Sequence, residues 1–158
     1  MTFNLLKAAS RDRTLLQHLL QLCLHDLSEF SRADIDAQGR FAYPFLDLYW
    51  TEPGRAPFWI KAGDKVAGFV LVRLLPEAQP ETRREIAEFF VLRKYRNKGI
   101  GARAAQRVLA LYPDKWRVCY SAQNVPAENF WRKVVQLHAG GAYHKRLDPE
   151  NNRVILDF

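Results

Sequence analysis

Two glycines, Gly99 and Gly101, follow a basic run that reads Arg93-Lys94-Tyr95-Arg96-Asn97-Lys98. The residues before that run, Glu88-Phe89-Phe90-Val91-Leu92, read as a strand, and those from Gly99 onward read as a helix. The first amides of a helix lack internal partners and carry the positive end of its dipole. Glycines let a ligand approach that backbone closely, and Arg and Lys add charge. The chemistry on offer is anion binding, a pyrophosphate above all. A P-loop is excluded, because no Lys-Ser or Lys-Thr follows a Gly-x4-Gly. Gly99, Gly101 and Ala104 do fit the dinucleotide fingerprint G-x-G-x-x-G/A. Its context is wrong: about six residues separate strand from glycines, and Cys119-Tyr120-Ser121 stand where an acid should end the next strand.

The sequence resembles the GCN5-related N-acetyltransferase (GNAT) superfamily. Arg96-Asn97-Lys98-Gly99-Ile100-Gly101 matches the signature [Q/R]-x-x-G-x-[G/A], and Val91 and Tyr95 extend the match toward V-x-P-x-Y-R-G-K-G-I-G. Arg93 stands where proline is usual and Asn97 where glycine is usual; Asn tolerates positive φ. A second family motif, N-x-x-A-x-x-F-Y, is matched by Asn124, Ala127 and Phe130, about 25 residues further on. The resemblance implies acetyl-CoA as co-substrate. The pantetheine arm would pair with the backbone of Phe90, Val91 and Leu92, the amides from Arg96 to Gly101 (Arg96, Asn97, Lys98, Gly99, Ile100, Gly101) would hold the pyrophosphate, and Asn124 would contact the arm.

The family transfers acetyl from the thioester directly to an amine. An alkylamine with a pKa near ~10 must lose a proton to react, so a carboxylate or a water held by one is needed. Glu88, three residues before Val91, is the first candidate, and Glu85 the alternative; strict strand alternation places them on opposite faces. Many relatives carry Tyr after the motif phenylalanine as general acid. Here it is Trp131, whose indole N–H cannot release a proton in this pH range. A thiol of pKa about 8–9 leaves well without help. Tyr120 and Tyr143 are substitutes by residue type only.

These residues need a frame, and the hydrophobic pattern supplies one. Strands are expected at residues 2–8, 57–62, 66–75, 84–92, 115–121, 141–147 and 153–158, and helices at 99–111 and 125–137. A longer helix is expected behind Ser10 as N-cap, with Asp12 in its first turn and leucines at helical spacing up to about Phe30. Residues 31–57 show no period but hold Phe41, Tyr43, Phe45, Tyr49 and Trp50. Residues 75–82 read as a connection. The order describes an α/β (α+β) domain spanning 1–158: a mixed, mostly antiparallel sheet of six to seven strands, with one parallel crossover, flanked by about four helices.

Composition sets the outer bounds. The chain of 158 residues is 48% hydrophobic and 13% aromatic, which excludes disorder. Its longest apolar run, residues 66–72, is far short of the ~20 residues of a membrane span, so no membrane partner is expected. The N-terminus shows no charged-then-apolar order, and a cytoplasmic location is expected. Cys23 and Cys119 sit in apolar stretches and read as buried thiols; the four histidines form no metal-spaced pair, so no metal is expected. The net charge is +7, but residues 21–52 carry six acids against two bases. That local −4 suggests a cationic amine in an aromatic-lined acceptor cleft, either a small molecule or a peptide, with the oligomeric state open. A basic nucleic-acid-binding module accounts for the +7 but not for the two motifs, and only Tyr95 is interleaved with the basic run. An acyl-CoA-binding protein without turnover is the other alternative, which Trp131 keeps open.

Overall fold

A computed structural model describes residues 2–76 and 81–158; the expected connection at 75–82 lies partly outside them. Seven strands form one sheet: β1 (Phe3–Lys7), β2 (Arg55–Ala62), β3 (Lys65–Leu75), β4 (Arg83–Val91), β5 (Lys115–Ser121), β6 (His144–Asp148) and β7 (Arg153–Asp157). Their order is β1-β2-β3-β4-β5-β7-β6. Every pair is antiparallel except β4 and β5, which the crossover helix α3 (Ile100–Leu111) makes parallel. The mixed, mostly antiparallel architecture is the expected one.

Side-chain alternation divides the core between two faces. On one face α3 and α4 (Val125–Ala139) cover Ile60, Val70, Val72, Ile86, Trp116, Val118 and Leu156. On the other, α1 (Arg13–Ser31) lays Leu16, Leu19, Leu20 and Cys23 over Trp59, Phe69, Leu71 and Phe90. Ser10 does not cap α1. Residues Ser10–Asp12 form a 3-10 turn that Asp12 closes from its far end: its Oδ2 accepts from the Ala9 amide (3.0 Å) and from Trp59 Nε1 (3.2 Å), and no side chain caps α1. The aperiodic segment after α1 contains one short helix, α2 (Leu48–Thr51), which buries Tyr49. Trp50 Nε1 ties that helix to the Ala8 carbonyl (3.2 Å), and Gln21 exchanges two hydrogen bonds with the Phe41 backbone (2.8 and 2.9 Å).

Two irregularities in β4 position the site. Its register with β3 passes from Leu71↔Glu88 to Val72↔Ile86, so Ala87 is an extra, bulged residue. Ile86 and Phe90, four apart, therefore face opposite layers instead of the same one. Glu85 and Glu88 consequently share the α1 face, which corrects the alternation expected from spacing. Secondly, β4 pairs with β5 only from Arg83 to Ile86. Beyond that point the two strands part and leave an open gap.

Candidate active site

The glycine turn has the backbone geometry of an anion cradle. After β4 a 3-10 turn (Arg93–Tyr95) leads to Asn97 at φ 59° and Gly99 at φ 76°, both left-handed, and Gly99 is the N-cap of α3. A Cβ at Gly99 would meet nothing within 4 Å, so the turn faces open space. Among the described residues the amides of 97–102 have no acceptor. The Arg96 amide is different, because it donates to the Arg93 carbonyl (3.1 Å). The expected set of amides thus loses Arg96 and gains Ala102.

The Arg96 side chain also departs from expectation. Its Nε donates to the Val91 carbonyl (2.7 Å) and a terminal nitrogen to Asp26 Oδ2 (2.6 Å), while Arg93 donates to Asp26 Oδ1 (2.8 Å). Burial raises the pKa of Asp26, but these hydrogen bonds overcome it and hold the carboxyl below its usual range. One acid of α1 therefore braces the loop from behind. Lys94, Lys98, Arg103 and Arg107 remain without ion pairs among the described residues and keep the loop positive.

Beside the cradle, the open edge of β4 offers fewer backbone groups than expected. The Leu92 amide donates to the Ala67 carbonyl on β3 (2.8 Å), and the Phe90 carbonyl faces Gly68, where a Cβ would lie 2.0 Å from its oxygen. Phe90 and Leu92 are thus committed to β3, and alternation leaves the Val91 amide and both backbone groups of Phe89 facing the gap, the Val91 carbonyl being taken by Arg96 Nε. Phe89, Phe130 and Trp131 close its α4 side, with ring centroids 4.9–5.3 Å apart. Trp131 is only 7% exposed. Asn124 caps α4 through Oδ1, which accepts from the Ala127 amide (3.1 Å). Tyr120 is on the α4 face of β5, opposite to that of Glu88, and burial raises its pKa.

Glu88 sits at the α1 side of the gap. Burial pushes its carboxyl up to about 7; Arg153 draws it down, Glu85 adds to the rise, and the Tyr43 hydroxyl draws it down. Glu85 itself accepts from Arg73 Nε (3.0 Å) and lies 3.9 Å from the Cys119 thiol. That thiol is part-exposed, not fully buried as expected, and burial followed by Glu85 raises its pKa to about 11. Tyr49 is 3% exposed, and its hydroxyl completes no hydrogen bond among the described residues. Tyr43 also lines a cleft of about 450 Å³ between α1 and the segment after it, shared with Gln17, Gln21, Asp36, Arg40 and Asp47.

The acidity that suggested a cationic acceptor is largely neutralised within the protein. Asp26 holds Arg93 and Arg96, Asp36 lies 3.9 Å from Arg40, Asp47 3.3 Å from Arg13, and Glu52 2.7 Å from Arg55. A charge count along the chain cannot register this, because three of these acids find their arginines outside the segment.

The chain matches the Acetyltransferase (GNAT) family over residues 20–135, and it belongs to that family. No curated protein matches the sequence. Its fold is that of an acetyltransferase from Thermus thermophilus (TM-score 0.71, 14% identity, covering 100% of this chain and 97% of the other). The GNAT domain of S. lividans PAT is similarly close in shape (TM-score 0.72, 13% identity, 100% and 90% covered). So is Arabidopsis thaliana NAA60 in complex with acetyl-CoA (TM-score 0.65, 12% identity, 99% and 98% covered). At such identities the likeness speaks for the fold.

Proposed function

We propose that this chain transfers an acetyl group from acetyl-CoA to the nitrogen of an amine. The observation that carries the reading is Glu88, a carboxylate with a pKa of about 7 at the mouth of a strand gap that begins beside an anion cradle. The residues fit the co-substrate. Amides 97–102 match a pyrophosphate, Lys98 and Arg103 supply nearby positive charge, and the Val91 amide with the backbone of Phe89 offers an edge for an extended arm. Acetyl-CoA supplies an activated acetyl thioester.

The chain's own contribution is positioning and proton transfer. Glu88 accepts the proton of an ammonium acceptor, leaving the neutral amine that can attack. A base whose pKa lies near neutrality is both largely ionised and able to hold the proton. As the N–C bond forms and the C–S bond breaks, CoA leaves as its thiolate and the acylated nitrogen sheds its second proton to water or to that thiolate, while the first proton stays on Glu88 or passes to water. Trp131 gives no proton; it fills the α4 side of the gap with Phe89 and Phe130. The decisive experiment incubates the protein with acetyl-CoA and an amine panel, following free thiol and N-acetyl product together. Acetyl-CoA binding without either signal would instead support a binding protein without turnover.

A further inference from the structure

Resting on that reading, we infer that the acceptor is an amine bearing a carboxylate, with the amine directed to Glu88 and the carboxylate to Arg153. The two residues lie on one face of the sheet. Arg153 pairs in register with Ser121 and, two residues further along β7, Ile155 pairs with Cys119. The Cys119 thiol in turn lies 3.9 Å from the Glu85 carboxylate, on the face that Glu85 shares with Glu88.

Most other charged groups on this face already have partners. Glu85 holds Arg73 (3.0 Å), and Asp157 takes two hydrogen bonds from Arg117 (2.7 and 3.0 Å) and lies 3.5 Å from Arg83 and 3.9 Å from Arg146. Asp148 is the cross-strand neighbour of Arg153, yet it turns into the hairpin loop and accepts from the Glu150 amide (3.2 Å) and Asn151 Nδ2 (2.8 Å). Among the described residues Glu88 and Arg153 are in no ion pair, and Arg153 is exposed. Glu88 and Arg153, an unpaired anion and an unpaired cation at the same end of this face, complement a ligand of the opposite polarity. β5 alone lies between β4 and β7, so the two backbones are roughly 10 Å apart, and more where the strands splay. The long side chains shorten that to the size of one amino-acid residue. Guanidinium recognises carboxylate in a planar, two-pronged fashion. A polyamine has nothing to offer Arg153, and four of the six acids in residues 21–52 are already paired with arginines.

A carboxylate beside an amine comes from two sources, a free amino acid or a peptide with an N-terminal acidic residue. The test measures kcat/KM with acetyl-CoA for free aspartate and glutamate, for peptides beginning Asp or Glu, for the matching carboxamides, and for spermidine. The expected result is a preference of at least tenfold for carboxylate over carboxamide in one of the two sources. In Arg153→Gln that ratio should collapse toward one, through KM, and Arg153→Lys should restore part of it. Acetyl-CoA affinity, read by calorimetry, reports whether the variant's cofactor site is intact. Equal use of carboxylate and carboxamide, a preference for spermidine, or a ratio untouched in Arg153→Gln overturns the inference while acetyl transfer stands. No acetylated product from any acceptor overturns both.

Discussion

Glu85 and Glu88 project from the same face of β4, because Ala87 is bulged out of the ladder between them. Two carboxylates brought together in this way do not behave alike. Glu85 is held by Arg73, whereas Glu88 is half-buried, and desolvation with Glu85's nearby charge raises its pKa to about 7. The base proposed for the transfer is an ordinary glutamate whose surroundings raise its pKa.

That asymmetry predicts the pH dependence of turnover. kcat/KM should climb with pH through a limb near 7 as Glu88 ionises. Glu88→Gln should lower it by about 10²-fold or more, the usual range for a general base, and should flatten the limb. Glu85→Gln should keep activity but move the limb to lower pH, since Glu85's charge is part of what raises Glu88. A limb that stays in place in Glu85→Gln would break the link between the two acids.

The same shift predicts a stability effect. Between its usual 4.5 and about 7, Glu88 binds more proton in the folded than in the unfolded chain. Its contribution to stability is therefore present at low pH and is lost as pH rises through about 7. Glu88→Gln should be more stable than the parent at pH 8 and lose that advantage near pH 4, as read by urea melts at the two pH values.

Much of this frame was legible in the sequence. The strand before the basic run, the Gly99 turn and the helix after Asn124 are local features, carried by periodicity and by tolerance of positive φ. The Ala87 bulge was not legible, because nothing in Glu85-Ile86-Ala87-Glu88 marks an extra residue; the pairing with β3 imposes it. The role of Asp26 was hidden for the same reason, since its arginines are 67 and 70 residues away. Tyr43 and Tyr49 stood out as aromatics, but only the packing of the segment against α1 and β2 brings them toward Glu88.

Asp26→Asn should cost about 1.5–3 kcal/mol of stability, the range for hydrogen bonds to charged groups. The aspartate's pKa is depressed in the fold, so its contribution is present above the usual carboxylate range and is lost as pH falls through the depressed value. The gap between parent and variant should therefore close in acid. A gap that persists unchanged below pH 3 would mean that packing, not charge, supplies it.

Gly99→Glu should abolish acetyl-CoA binding. A side chain there meets open space, but the carboxylate would occupy the anion cradle and repel a pyrophosphate. Because φ is +76°, any side chain also costs about 1–2 kcal/mol. Gly99→Ala carries that backbone cost without the charge. It should melt like Gly99→Glu yet retain binding, so calorimetry on the pair separates electrostatics from strain.

Trp131 supplies the last prediction. Its indole is 7% exposed and packs edge-on against Phe89 and Phe130, at 5.3 and 4.9 Å, in the wall of the strand gap. If the tryptophan serves as packing and the departing thiolate needs no acid, Trp131→Tyr should change turnover by less than about tenfold, or ~1.4 kcal/mol of barrier. The thiol's pKa of about 8–9 makes that leaving group tolerable near neutral pH. Trp131→Ala should do more harm, because deleting a buried indole costs about 3–5 kcal/mol and would leave Phe89 and Phe130 without their shared neighbour. Thermal melts and thiol-release rates on the two variants separate the packing role from the chemical one. A gain of a hundredfold in Trp131→Tyr would show that the native chain lacks an acid its reaction needs, and a protein that binds acyl-CoA without turning it over would then be the better description.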